Sequence, residues 1–270
     1  MANLPLRGRR IVVTRAETQA GGLLTQLREH GAEPLVCPAI AFAPPHDQGP
    51  LDAALGRLAD YDWLLVTSAN TVRALFERAE ALGLSTALLR GREDRVKVGA
   101  IGSATARALA ERDVLVGFTP SAFVAETALA EIGDVAGQRV LLPQADIARP
   151  DLAEGLRAKG ALVDAIVAYR TVPGEGAPEL VGLLRAGAVD AVTFTSSSTV
   201  RYLLDGLEAS GLPRDEARTL LGQAAVFCIG PITSGTARAE GLRVDAEAAE
   251  YTSEGMVQAL IDWFNQMRNA

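Results

Sequence analysis

The sequence predicts an α/β protein built from two similar domains with parallel sheets, and three observations carry that expectation. Short β-branched runs alternate with helical stretches along all 270 residues, the runs are apolar from end to end, and the middle of the chain recurs in its last third. Continuous apolar strands between helices mark parallel sheets covered on both faces.

Taken in order, RRIVVTR is a strand, followed by a helix from about Gln19 to Glu29 and the extended run EPLVCPAIAF. WLLVTS, a helix Thr71 to Leu82, VKVGAIG, a helix Thr105 to Arg112 and the strand VLVGFTP follow. Then come a helix from about Phe123 to Ile132, RVLLPQ, a helix Asp151 to Lys159 and VDAIVAYRTV. AVTFTS, a helix from Thr199, AVFCIG, another helix and a closing helix Ser253 to Met267 complete the chain.

The repeat fixes how these pieces group. TSANTVRALFERAEALG (67–83) and TSSSTVRYLLDGLEASG (195–211) match at 9 of 17 positions, and IGSAT (101–105) and IGPIT (229–233) keep the same offset. GRRIVVTRA (8–16) pairs with GQRVLLPQA (137–145), so the order is A, B, A′, B′. Either A pairs with B and A′ with B′, or B pairs with A′ while A joins B′. The extended connectors VCPAIAF (36–42) and VAYRTV (167–172) occupy equivalent positions and favour the second arrangement. Residues 1–36 and 174–270 are then one discontinuous domain and 42–166 the other, with 37–41 and 167–173 as crossover strands tying them together.

Composition narrows the function classes. An apolar fraction of 49% supports a full core, and a net charge of −7 with scattered basic residues argues against a nucleic-acid binder. The start MANLPLRGRRIVVTRA has no apolar stretch before a cleavage site, and no run approaches the roughly 18 apolar residues of a membrane span. The expectation is a soluble, cytoplasmic protein that binds neither nucleic acid nor membrane. Cys37 and Cys228 sit singly in strand-like runs and read as buried hydrophobes. His30 falls at a helix end and His46 in a loop, neither at metal-ligand spacing, so no metal site is expected.

Four hydroxyl- or glycine-rich turns follow apolar strands and open helices: Thr67 to Thr71, Gly102 to Thr105, Thr195 to Thr199 and Gly230 to Thr233. In a parallel sheet such turns lie at the carboxyl edge, where helix N-termini present unpaired N–H groups to an anion. Each turn is also explained by helix capping, since Ser, Thr and Asn are preferred N-caps. One cap needs one hydroxyl, however, and Thr195, Ser196, Ser197 and Ser198 supply four. Gly102 and Gly230 are equally readable as tight strand-to-helix turns. Arg15, just past the first strand, is either a site cation or a solvated residue.

The series TS-x-N-x-V, VG-x-IG-x-x-TA, RVLLP, the YRT of the second connector, TS-x-x-TV, IGP-x-T and AEYTSEGMVQAL resembles the uroporphyrinogen-III synthase family along nearly the whole chain. The resemblance implies two flavodoxin- or Rossmann-like domains joined by a two-stranded linker, with the active site in the interdomain cleft. It implies closure of the linear tetrapyrrole hydroxymethylbilane to uroporphyrinogen III with inversion of ring D, without a cofactor. It further implies a monomer that takes its substrate by hand-over from the bilane-forming deaminase. The residues it assigns to substrate are Arg15, Thr67, Ser68, Asn70, Gly102, Ser103, Thr105, Thr195, Ser196, Ser197, Gly230, Pro231 and Thr233. Tyr169, in the second connector, becomes the general acid, because a phenol with an ordinary pKa near 10 is protonated at neutral pH. Arg170 beside it is expected to face the other side, and Tyr61, Tyr202 and Tyr251, on helices or at strand starts, take no role. The chain departs from the pattern at Gln144, where relatives often carry a basic residue, and at Ser234, where Ala is common.

Two other classes compete. A non-catalytic hinge protein for a polycarboxylate would explain the duplication and the anion turns, but not the connector tyrosine. A nucleotide-dependent oxidoreductase needs a G-x-G-x-x-G after the first strand, and TRAETQAGG lacks it.

Overall fold

The computed structural model describes residues 4–85 and 96–269. The chain divides into two compact units, Met1–Ala41 with Val172–Ala270, and Phe42–Thr171. In chain order the elements are β1 (Arg10–Val13), α1 (Glu17–Glu29), β2 (Glu33–Val36), β3 (Ile40–Ala43), α2 (Gly49–Gly56), β4 (Trp63–Val66), α3 (Ala69–Ala81), β5 (Lys97–Ala100), α4 (Ser103–Ala110) and α5 (Ala125–Glu131). Then follow β6 (Arg139–Ala145), α6 (Asp151–Ala158), β7 (Leu162–Pro173), α7 (Ala177–Arg185), β8 (Ala191–Phe194), α8 (Ser197–Ala209), α9 (Arg214–Leu221), β9 (Ala225–Cys228), α10 (Pro231–Ala239), β10 (Ala246–Glu247) and α11 (Ser253–Asn269).

The sheet of the first unit runs β10-β9-β8-β1-β2 and that of the second β3-β7-β6-β4-β5. The Ile11–Val13 segment pairs with Ala191–Thr193 in the first sheet, whereas Trp63–Val66 pairs with β5 and β6 in the second. Counted by order within each repeat, both sheets carry the doubly wound sequence 2-1-3-4, with β2, β1, β8 and β9 matched by β7, β6, β4 and β5. Both faces are covered, as apolar strands require. Val12, Val192, Phe194 and Val226 pack against α7 to α10, while Ile11, Val13, Ala191 and Phe227 pack against α1 and α11. In the second unit Leu64, Val66 and Val98 face α2 to α4, and Trp63, Leu65, Val140 and Leu142 face α5 and α6.

A repeated clamp sets the register. Asp190 donates its N–H to the Arg10 carbonyl at 2.9 Å and accepts the Arg10 N–H on its carboxylate at 2.8 Å. Asp62 makes the same two bonds to Arg139, at 2.9 and 2.8 Å. Deeper in the first sheet, the Thr14 hydroxyl donates to the Thr193 carbonyl at 2.7 Å and the Thr193 hydroxyl to the Val12 carbonyl at 2.9 Å.

The structure corrects the sequence reading in several places. VLVGFTP is not a strand but a single bridge, Gly99 to Phe118. The segment still joins the sheet edge through backbone bonds, from the Gly117 N–H to the Val98 carbonyl at 2.8 Å and from the Ala100 N–H to the Phe118 carbonyl at 2.9 Å, while the Phe118 side chain leans over Gly99, where a Cβ would come within 3.2 Å of it. The connector strands are not free of the sheets: β3 is an edge strand beside β7, and β7 pairs with β6 from Leu162 to Tyr169 before running on to Pro173. The helices α2, α7 and α9 were not expected, and Tyr251 lies in the bend before α11 rather than on a helix or strand. Among the described residues no helix is long and apolar enough to cross a membrane.

The clamp predicts a stability cost. Asp190→Ala leaves the Arg10 N–H without its carboxylate and should lower unfolding free energy by about 1–3 kcal/mol, the usual range for bonds to charged groups. Asp62→Ala should do the same for the second unit. Urea denaturation checks both, and an unshifted midpoint in either variant would show that backbone pairing alone holds that register.

Candidate functional site

Every residue expected to meet substrate lies at the carboxyl end of a strand or just beyond it. Arg15 follows β1; Thr195, Ser196 and Ser197 follow β8; Gly230, Pro231 and Thr233 follow β9. In the second unit Thr67, Ser68 and Asn70 follow β4, and Gly102, Ser103 and Thr105 follow β5. Helices depart in opposite directions on either side of β1/β8 and of β6/β4. That switch in strand order opens a crevice at the carboxyl edge, where doubly wound sheets bind ligands.

In the second unit the crevice is a pocket of about 300 Å³ lined by Thr67, Ile101, Gln144, Arg149 and Tyr169, among others. Gln144 thus does line a pocket, and the cation in this loop is Arg149, which sequence reasoning missed. Arg149 is 78% exposed and 3.6 Å from Asp151. Its signal was positional: it follows β6 into the crevice.

Tyr169 owes its position to a β-bulge. Gln144 pairs with Val167 but Ala145 with Tyr169, so Ala168 is an extra residue that breaks the alternation. Tyr169 is 8% exposed, its ring edge-on to Phe42 at 5.4 Å between centroids. Its hydroxyl lies 3.2 Å from the Ser68 hydroxyl, which accepts the Thr71 N–H at 3.0 Å as the α3 N-cap and lies 2.9 Å from the Thr71 hydroxyl. The phenol is therefore wired to a helix N-terminus. Arg170 donates from Nε to the Pro44 carbonyl at 3.0 Å, a structural bond.

The other tyrosines have different surroundings. Tyr61 is buried and donates to the Asp164 carboxylate; burial first, and then Asp164, raise its pKa above the usual phenol value. Tyr202 lies on α8. Tyr251 is 65% exposed, and its ring covers Gly230 so closely that a Cβ there would come within 2.9 Å of it. Gly230 is extended, so the ring and not the backbone demands glycine. Gly102, at φ 123°, sits where L side chains rarely go.

The hydroxyl excess after β8 is largely consumed inside the first unit. Ser196 caps α8 by accepting the Thr199 N–H at 3.3 Å and lies 2.9 Å from the Ser198 hydroxyl. Ser197 donates to the Ile232 carbonyl at 3.3 Å and accepts from Thr236 at 2.8 Å, joining α8 to α10. Thr105 is buried and turns its hydroxyl back to the Ile101 carbonyl at 3.4 Å. Among the described residues Arg15, Thr67, Asn70, Thr195 and Thr233 have side chains with no hydrogen bond or ion pair of their own. Burial raises the Cys37 thiol to about 12 and the Cys228 thiol to about 11, which keeps both as inert neutral thiols. Among the described residues no cluster of three or more His, Cys, Asp or Glu side chains forms a metal site.

Fold and rim together define a duplicated, doubly wound α/β protein whose strand ends present amides, hydroxyls and a buried phenol. Comparison with known proteins makes this specific. The family model described as "Uroporphyrinogen-III synthase HemD" matches residues 22–258, and the chain belongs to the uroporphyrinogen-III synthase family. It is 34% identical to the uroporphyrinogen-III synthase of Synechococcus elongatus over 98% of this chain and 99% of that one. It is 30% identical to the porphyrin biosynthesis protein HemD of Ruminiclostridium josui over 96% of this chain and 49% of that one. A uroporphyrinogen III synthase of Thermus thermophilus shares the fold with a TM-score of 0.58 at 22% identity, over 96% of this chain and all of that one.

The bonding pattern separates Ser197 from Thr195. Ser197→Ala should lower stability by about 1 kcal/mol, the typical worth of a hydrogen bond, while Thr195→Ala should change it by less than about 0.5 kcal/mol. Thermal melts of the two variants check this, and equal melting temperatures would show that the α8–α10 bridge contributes nothing.

Proposed function

We propose that the chain is a cofactor-independent lyase that closes hydroxymethylbilane to uroporphyrinogen III with inversion of ring D and loss of one water. The observation that carries this is Tyr169, aimed by the β6/β7 bulge into the second unit's strand-end crevice and tethered to Ser68. Family membership favours this over a non-catalytic hinge protein.

The chemistry asks for few groups. The pyrrole nitrogen's electrons expel the terminal hydroxyl as the Tyr169 phenol protonates it, so the C–O bond breaks and water departs. The azafulvenium carbon is then attacked by the substituted carbon of ring D, giving a spiro intermediate. That intermediate fragments and recloses inverted, and loss of a carbon-bound proton restores aromaticity and the phenol. The protein's task is to fold the substrate so that the right carbon attacks.

The substrate is a polyanion and the protein carries a net charge of −7, so bulk field opposes binding. Local donors answer this. We assign substrate contacts to Arg15, Thr67, Ser68, Asn70, Gly102, Ser103, Thr105, Thr195, Ser196, Ser197, Gly230, Pro231 and Thr233, of which Pro231, having no N–H, offers an apolar contact and the others donors to carboxylates. Through the backbone this set includes residues whose hydroxyls are otherwise engaged, because helix N-terminal amides remain available. The reading takes the protein to act as a monomer. Hydroxymethylbilane closes spontaneously to isomer I, so direct hand-over from the cytoplasmic enzyme that makes it would protect the outcome.

The test is turnover of freshly made hydroxymethylbilane, scoring isomer III against isomer I; isomer I alone would refute the function. Tyr169→Phe keeps the ring against Phe42 but removes the donor. It should fold normally and lose on the order of 10²-fold in isomer III formation, the low end for general acid assistance with a good leaving group. Phe at Tyr61, Tyr202 or Tyr251 should cost much less, and an unchanged rate in Tyr169→Phe would remove the acid role.

A further inference from the structure

Tyr169 also walls a second pocket in the same unit, about 250 Å³, that follows α3 from Asn70 to Ala81. At 1.5 Å per residue that groove runs roughly 16 Å away from the hydroxyl turn. We propose that it seats one pyrrole ring of the linear tetrapyrrole with its acid arms, and that Arg73 binds a carboxylate of that ring. The assignment rests on the function proposed above.

Shape and chemistry agree. Ligand pockets usually span about 300–1,000 Å³, so this groove takes a single ring rather than the whole substrate. Phe42, Pro44 and Leu51 supply apolar walls, while Asn70, Arg73, Arg78 and the acidic Glu77 supply polar and charged groups. A pyrrole with acetate and propionate arms has the same division, a flat π face with charged ends. The bulge that aims Tyr169 also brings Ala168 into this wall, so the groove and the proposed acid share one distortion of β7.

Charge accounting singles out Arg73. The groove's other arginine, Arg78, is committed: Nε and Nη2 each lie 2.5 Å from a carboxylate oxygen of Asp52. Hydrogen bonding from Arg78 in turn holds the Asp52 carboxyl below its usual pKa. Among the described residues Arg73 has a single ion-pair partner, Glu77, one turn along the helix at 3.7 Å, with the two side chains 47% and 68% exposed. Such an exposed pair is readily exchanged for a better anion. The Arg73 guanidinium lies 5.6 Å from the Phe42 ring centroid, and a cation held over an aromatic wall can offer its N–H edge bidentately to a carboxylate. A ring seated there lies against Tyr169, whose hydroxyl is tethered to Ser68 3.2 Å away.

The test compares Arg73→Gln, Arg73→Lys and Glu77→Gln in the full chain with hydroxymethylbilane as substrate. Arg73→Gln should raise KM about 10-fold or more, as loss of a charge-assisted bond does, with kcat within about threefold. Arg73→Lys should recover part of the loss, and Glu77→Gln should leave KM unchanged or lower it. An unchanged KM in Arg73→Gln, with isomer III still formed, overturns the groove assignment and leaves the function standing. If the parent chain makes no isomer III, the function fails and the groove is judged separately. NMR titration with a monopyrrole bearing one acetate and one propionate then decides: shifts at Phe42 and along α3 that vanish in Arg73→Gln sustain it, and their absence overturns it. Melting temperatures within a degree or so of the parent show that the KM effect is not unfolding, and if Arg73→Gln melts low, Arg73→Lys carries the comparison.

Discussion

The fold turns on an aspartate placed one residue before a strand. Asp190 and Asp62 each grip the first residue of a neighbouring strand through two bonds, one from the backbone and one from the carboxylate. The gripped residues, Arg10 and Arg139, are 180 and 77 positions away. Closing loops of that length is entropically costly and unspecific, so a register device at the point of closure is needed to choose one alignment. Once Arg10 is fixed opposite Asp190, Val12 and Thr193 meet, and their reciprocal partner Thr14 falls at the carboxyl edge beside Arg15. The rim is thus a consequence of the clamp at the other end of the strands.

This device was visible in the sequence but not read as one. The duplicated runs YDWLLV and VDAVTF both carry the aspartate, and RRIVV and QRVLL both begin with the residue it grips or the one before it. Periodicity and duplication made the strands, the larger helices and the rim turns legible, because each rests on local apolar pattern or on repeat. Three helices, α2, α7 and α9, were not legible. α2, with glycine at both ends, reads as loop, and α9 is only 8 residues long, so tertiary burial of Ala217 and Leu221 decides it rather than its length. VLVGFTP has strand composition, yet its pairing stops after the single bridge of Phe118 to Gly99, over which the Phe118 side chain also packs.

The site was legible as positions and not as partners. A run of four hydroxyls suggests an excess over capping, but bonds between helices have no signature in a single sequence. Ser197 is claimed by Ile232 and Thr236, which lie 35 and 39 residues away. What remains uncommitted is a smaller set in which Thr67 and Asn70 flank Ser68, the residue that joins the α3 cap to Tyr169. Sequence could nominate Tyr169 but could not show the bulge, since an extra residue in β7 becomes apparent only against the count in β6.

That bulge decides what a single tyrosine can do. In regular β7 geometry Ala168 and Tyr169 would face opposite sides of the sheet, and a phenol there would serve one surface. With the extra residue both face the α3 groove, and the Tyr169 ring borders the switch-point crevice as well. The ring is fixed by Phe42 on one edge and its hydroxyl by Ser68, so it is positioned before any substrate arrives. Preorganisation of this kind matters most for a reaction whose uncatalysed course already runs, because rate alone is not the difficulty. A flexible bilane will close without help. For the proposed reaction the protein must supply a fixed place for the acid and fixed places for the rings, and with Tyr169 as the proposed acid, a bulge that sets one side chain against two pockets would supply both from one backbone irregularity.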